Sequence, residues 1–305
     1  MTAGVQVLTL FLLMAVGFVA DKTGIYTANA AKATTNLLFY AVTPAIMLDS
    51  FLSMSYSRER LFAFGLAFVC GLSTHFVGML LTLPFFRKGN PQANAVYKFA
   101  GIYGNMGYMC LPLAEKITGA EGVFLCSSAV AAYNVMVFTH GVWLMGQGAE
   151  KKSKLDLRAL ILNPGVIALI IGLPLFIFSV SLPSPVTDAI GYVASLNSPL
   201  AMIILGTYIA NSDLKKLFLQ KEHYLIVLLK QICMPLIMIT LYRLCDMSGL
   251  TLTACGISAA APTAANTVLF AAKYDKDTAA ASQVVSFGTL AAVLTMPFMI
   301  AYTKI

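Results

Sequence analysis

Polar positions fall in short clusters along this chain, and long uncharged apolar runs separate them. A membrane-crossing helix needs about 20 mostly apolar residues. Ten runs reach that length: 1–20, 33–57, 61–86, 91–114, 122–148, 159–185, 189–212, 224–242, 247–272 and 278–303. A transmembrane β-barrel is excluded, because its strands alternate polar and apolar residues over segments of about ten. The pattern predicts an all-α polytopic membrane protein with ten transmembrane helices. An even number places both termini on one side. The first run carries no charge, so it lacks the basic start of a cleaved signal peptide and reads as a retained helix.

Composition supports this class: 59% of the 305 residues are hydrophobic and 11% are charged. The net charge of +7 does not point to nucleic acid, because the basic residues flank the apolar runs. One set of loops holds Lys22, Lys32, Arg87, Lys88, Lys98, Lys151, Lys152, Lys154, Arg158, Lys215, Lys216, Lys221, Lys273 and Lys276. The other set holds only Arg58, Arg60, Lys116, Arg243 and Lys304, and Lys230 lies inside a run. The richer side is expected in the cytoplasm, with both termini outside a plasma (inner) membrane. Residues 147–158, with Glu150, Lys151, Lys152 and Lys154, form the most polar loop. They read as a solvated cytoplasmic linker, with a lipid-binding or regulatory role as the alternative. The six cysteines lie in or beside apolar runs without a CxxC pair and read as small buried hydrophobes.

Two runs carry internal punctuation. Gly101 to Pro112 contains three glycines, Asn105 and a proline; Ser258 to Asn266 contains Pro262 and an asparagine among alanines. Glycine weakens a helix and proline removes a donor, and a broken helix survives in hydrocarbon only where protein or a cavity covers it. Five runs precede the polar loop and five follow it, so the expected organisation is two five-helix repeats, 1–146 and 159–305, joined by 147–158. An odd number per half makes them inverted. Pro44 and Pro199 lie 155 residues apart, and Pro112 and Pro262 lie 150 apart, which fits a duplication. The fourth and ninth spans would then cross near the midplane. Each break would present a half-helix N-terminus with free N–H groups and partial positive charge. Such a neutral, dipole-rich site suits an organic anion, above all a carboxylate. The candidate substrate-binding residues are Gly104, Asn105, Tyr108, Pro112, Pro262, Asn266, Asn197, Ser198, Pro199 and Lys230.

Other intramembrane polar groups have two readings each. Lys230 either snorkels to the cytoplasmic surface or serves as a counter-charge for an anion. Asp49 reaches the outer interface or binds a coupling ion. His75 is a hydrogen-bonded packing residue or a proton relay. Glu115 terminates the helix after Pro112, and His140 and His223 carry no signal. HExxH and GxxxxGK[ST] motifs are absent, as is an aspartate pair within two spans, so neither intramembrane proteolysis nor ATP-driven transport is indicated. No enzyme activity, metal site or organic cofactor is expected. Transport, secondary active or facilitated, would then draw on an ion gradient, the substrate's own gradient or the membrane potential, with Na+ or H+ as the candidate coupling ion.

The chain resembles the auxin efflux carrier family, in particular its short bacterial members of the malate or malonate permease kind. The resemblance rests on Thr43-Pro44-Ala45, Gly104 to Tyr108 with Pro112, Asn197 to Met202 with Leu205-Gly206, Lys230 with Pro235, and Pro262 through Tyr274. The resemblance implies a ten-helix inverted repeat similar to the bile-acid sodium symporters. Spans one, two, six and seven would form a scaffold that makes a homodimer. Spans three to five and eight to ten would form a transport domain moving like an elevator. It also places the family's site asparagine at Asn105. The expected function is alternating-access transport of a small mono- or dicarboxylate such as malate or malonate, or of an auxin-like carboxylate. A cation–proton antiporter and a non-transporting membrane sensor are the alternatives.

Overall fold

A computed structural model describes residues 3–147 and 157–305 of the chain, and the charged part of the linker, Glu150 to Lys154, lies outside the described residues. In chain order the helices are α1 (Ala3–Lys22), α2 (Asn29–Leu52), α3 (Arg58–Thr82), α4 (Pro91–Ile102), α5 (Met106–Gly146), α6 (Leu157–Ile161) and α7 (Pro164–Ile177). They continue with α8 (Ser184–Ala210), α9 (Leu214–Leu219), α10 (Lys221–Leu244), α11 (Gly249–Ala260), α12 (Asn266–Lys273) and α13 (Thr278–Tyr302).

Seven of these helices, not ten, are long and apolar enough to cross a membrane: α1, α2, α3, α5, α8, α10 and α13. The sequence count overestimates because it measures apolar length and ignores breaks. The fourth run stops being helical at Ile102, and its remainder joins the fifth run in α5, which holds 41 residues. The sixth run yields only the 14-residue α7, and the ninth splits into α11 and α12, of 12 and 8 residues. At 1.5 Å per residue, helices of 12 to 14 residues reach about 18–21 Å, short of the roughly 30 Å hydrocarbon core. The ten-helix, five-plus-five inverted repeat similar to the bile-acid symporters is therefore withdrawn. The parity that set both termini on one side goes with it. An all-α polytopic membrane protein stands, and among the described residues the nearest thing to a sheet is one isolated β-bridge.

Proline placement explains the local shape of the long helices. Three π turns, Leu38–Val42, Met106–Cys110 and Leu228–Cys233, each end two residues before a proline: Pro44, Pro112 and Pro235. Proline has no N–H for the carbonyl four residues back and its ring crowds that oxygen, so the turn widens. The fourth π turn, Val137–Gly141, has no proline after it. Gly119 interrupts α5 with φ +65°, ψ −160°, a conformation that costs glycine little.

Small residues set the closest helix contacts. α1 and α8 approach through Gly17 and Gly206, each lying directly on backbone atoms of the other helix. Gly172 of α7 lies against the Phe51 ring of α2, which also packs on Phe64 and Phe124. With little hydrophobic drive between helices in lipid, such close backbone approach is what holds them together. Four cysteines are buried as the sequence suggests, but Cys233 is half-buried and Cys245 is exposed.

Candidate functional site

The two interrupted segments meet. After α4 the backbone becomes extended at Tyr103, and after α11 it becomes extended at Ala261. The two links then pair antiparallel at Gly104 and Thr263. The Asn105 N–H donates to the Pro262 carbonyl at 2.7 Å, and the Ala264 N–H donates to the Tyr103 carbonyl at 2.9 Å. Each break frees backbone groups that hydrocarbon cannot satisfy, and these groups satisfy one another. The Thr263 hydroxyl adds a bond to the Ala100 carbonyl at the end of α4.

A cavity of about 50 Å³ opens beside this junction. Its lining includes Phe39 and Thr43 of α2, Gly104 to Tyr108, Val130, Tyr133 and Asn134 of α5, Asn163, Gly165, and Ala264 to Asn266. No charged side chain lines it, but four amide side chains do. Three helices also begin there: α5 at Met106, α7 at Pro164 with Gly165 in its first turn, and α12 at Asn266. First-turn N–H groups carry partial positive charge, and here several are already bonded: Asn105 Oδ1 accepts from Tyr108, Asn163 Oδ1 from Gly165 and Val166, and the Ala264 carbonyl from Thr267.

Asn105 connects the junction to the cavity. Its Oδ1 accepts from the Tyr108 N–H at 3.2 Å and caps the π turn, and its carbonyl accepts from Met109 and Cys110. Its Nδ2 is buried with no hydrogen-bond partner. A buried unpaired donor costs free energy unless a ligand or water completes it. Tyr133 and Asn266 bond across the cavity, Nδ2 to the phenol oxygen at 3.5 Å. Replacing Tyr133 by phenylalanine is expected to weaken the binding of a cavity ligand about threefold to tenfold with little change in Tm, the size of one neutral hydrogen bond.

The structure brings Gly104, Asn105, Tyr108 and Asn266 to the cavity wall. Pro112 lies buried at the second position after the π turn, and Pro262 supplies the carbonyl that pairs with Asn105; neither lines the cavity. Asn197 reaches it only through Thr43, its Nδ2 donating to the hydroxyl at 3.5 Å. Ser198 instead donates to Glu115 Oε2 at 2.6 Å, tying α8 to α5, and Pro199 is half-buried away from the lining. Glu115 thus sits within α5 rather than ending it. Lys230 does not snorkel: it is 0% exposed, and its Nζ donates to the Ala259 carbonyl at 3.1 Å. His75 packs as a hydrogen-bonded residue, Nδ1 on the Gly71 carbonyl at 2.6 Å and its ring against Tyr103 and Tyr133. His140 is more informative than its sequence context suggested, because its Nδ1 meets the Tyr103 hydroxyl at 2.8 Å.

The sequence pattern of the family described as "Membrane transport protein" matches residues 2–300, nearly the whole chain. The chain belongs to this family. As a membrane transport protein it is a transporter rather than an enzyme, and the described residues contain no group of three His, Cys, Asp or Glu side chains that could hold a metal ion. The resemblance read from the motifs holds at this level, a membrane transport family. A protein of Rhizobium meliloti (strain 1021) named "Putative malonate transporter" is 23% identical to it over 301 residues, covering 95% of this chain and 92% of that protein.

Among the lining residues of this membrane transport protein that sequence reasoning missed are Tyr133, Asn134 and Asn163. A signal existed for each. Tyr133-Asn134 is a polar pair inside an apolar run, and Asn163-Pro164 is a helix start, with Asn163 Oδ1 accepting from the Gly165 and Val166 N–H groups.

Proposed function

We propose that this protein carries a small organic anion across the plasma membrane by alternating access. The substrate class is a mono- or dicarboxylate such as malonate or malate, with auxin-like carboxylates as the related case. The carrying observation is the uncharged cavity walled by three helix starts and by Asn105, whose buried Nδ2 has no partner. A carboxylate supplies the acceptor that Asn105 Nδ2 lacks, it lies where helix starts carry partial positive charge, and it can shed its water there without meeting a negative side chain. The name of the Rhizobium relative points the same way.

The cavity wall draws on two groups of helices, which supports relative movement as the transport step. Phe39, Thr43, Asn163 and Gly165 belong to α1, α2, α7 and α8 with their links; Gly104 to Tyr108, Tyr133, Asn134 and Ala264 to Asn266 belong to α3–α5 and α10–α13. We assign the first group as a scaffold that dimerises and the second as the part that carries the anion in an elevator-like motion. The basic loop ends face the cytoplasm. Arg87, Lys88 and Lys221 share one recess there, and Lys276 bonds the Gln147 carbonyl.

Purified protein in proteoliposomes preloaded with malonate is expected to accumulate labelled malonate by counterflow, with malate competing. Binding without accumulation would make the protein a sensor. Proton or Na+ flux with no carboxylate exchange would make it a cation antiporter.

A further inference from the structure

The buried lysine beside the junction has a role distinct from lining the cavity. In carriers built on interrupted helices, the carbonyl ends of half-helices hold the coupling Na+. Here α11 is such a half-helix, ending at Ala260. Its last carbonyls have no partner within the helix, and the C-terminal end carries partial negative charge. Ala261 turns its N–H back to the Ser258 carbonyl, and the Ala259 carbonyl receives Lys230 Nζ.

The fold is built to keep Nζ there. The π turn Leu228–Cys233 directs two consecutive polar side chains, Lys230 and Gln231, into the core, both 0% exposed. Gln231 pins that turn from both ends of its amide: Nε2 donates to the Gly288 carbonyl at 2.8 Å, and Oε1 accepts from the Thr295 hydroxyl at 2.7 Å. Gly104 leaves the room, since a Cβ there would stand 3.2 Å from Nζ and 3.2 Å from the Ala261 carbonyl oxygen. Among the described residues no carboxylate forms an ion pair with Lys230.

We propose that the Lys230 ammonium is a resident cation at the junction, occupying the carbonyl position that a coupling Na+ would otherwise fill, so that neither the folded junction nor anion binding requires Na+. Its charge lies across the Gly104 link from the cavity, and the substrate anion is its counter-ion. This rests on reading the cavity as an anion site.

The test is the melting of the full chain in lipid nanodiscs in sodium chloride and in choline chloride, with and without malonate. Wild type is expected to melt at the same temperature in both salts and to show the same malonate-induced shift. Lys230→Ala is expected to lose roughly 5 °C or more, and sodium or methylammonium, but not choline, should return part of it. Lys230→Arg, which keeps the charge, should melt within roughly 2 °C of wild type and stay indifferent to Na+. A wild-type Tm higher in sodium than in choline overturns the proposal, because a separate Na+ site then exists. An unchanged Tm in Lys230→Ala, or a loss that no small cation restores, overturns it as well. If Lys230→Ala fails to fold, the wild-type salt comparison and Lys230→Arg decide. The ligand-free arms bear on Lys230 alone, whereas absence of any malonate shift counts against the carboxylate reading of the cavity.

Discussion

Replacing Asn105 by aspartate is expected, on the proposed reading of the cavity as an anion site, to cut malonate uptake by roughly 100-fold or more while the protein stays folded. The substitution separates two jobs of one side chain. Oδ1 caps the π turn by accepting the Tyr108 N–H, and an aspartate oxygen at a helix start keeps that bond. Nδ2, the buried donor without a partner, becomes a second acceptor bearing negative charge. Losing a hydrogen bond to an ionic ligand costs roughly 1.5–3 kcal/mol. A like charge about 4 Å away adds about 4 kcal/mol at an effective dielectric constant of 20. The first effect is about the size of the expected loss, and the second exceeds it. Uptake by Asn105→Asp proteoliposomes, set against its elution profile and Tm, gives the answer. Wild-type uptake would remove Asn105 from the site.

Gly206→Ala is expected to destabilise the fold strongly, although it adds a single methyl group. An added Cβ would overlap the Met14 carbonyl oxygen and crowd the Phe18 nitrogen at 2.7 Å, and both are backbone atoms of α1. No rotamer change relieves that contact, so α1 and α8 must separate along their whole shared face, where Gly17 makes the reciprocal contact. Overpacking of this kind costs about 3 kcal/mol or more, which corresponds to a Tm loss of roughly 6–12 °C for a chain of this size. The expected readout in detergent is loss of the monodisperse peak. Gly65→Ala is the control: nothing lies within 4 Å of a Cβ there, and it should behave as wild type. A well-folded Gly206→Ala would show that the two helices are not held at this distance.

The membrane class, the two breaks and Asn105 were legible in the sequence because they rest on local chemistry: apolar length, glycine and proline, and one amide among apolar neighbours. The helix count was not. Residues 91–114 and 247–272 are apolar throughout, so length alone scores each as a span, while the backbone leaves the helix at Tyr103 and Ala261. Asn197, Ser198 and Pro199 illustrate a second limit. Their motif resembles Val42-Thr43-Pro44, but Thr43 reaches the cavity, Asn197 stands behind it, and Ser198 turns to Glu115. Which face of a buried helix meets a cavity is set by its neighbours, and a helix that is apolar on all sides carries no record of that. Lys230 was ambiguous for a related reason. Its distance from the span end allowed either snorkelling or burial, and the π turn that decides between them has no local signature beyond Pro235.

Those π turns bear on how this chain should be compared with its relatives. An i to i+5 bond encloses one residue more than the α turn it replaces. Each therefore behaves as a one-residue insertion that the helix absorbs without breaking, rotating everything beyond it by about 100°. Relatives lacking a given π turn would align with a single-residue gap inside an otherwise continuous helix. Moving that gap by a few positions would exchange Lys230 with Gln231, or Asn105 with a neighbour, in the correspondence. Alignments of these transporters should therefore be anchored on Pro44, Pro112 and Pro235, with the gap placed in the turn before each.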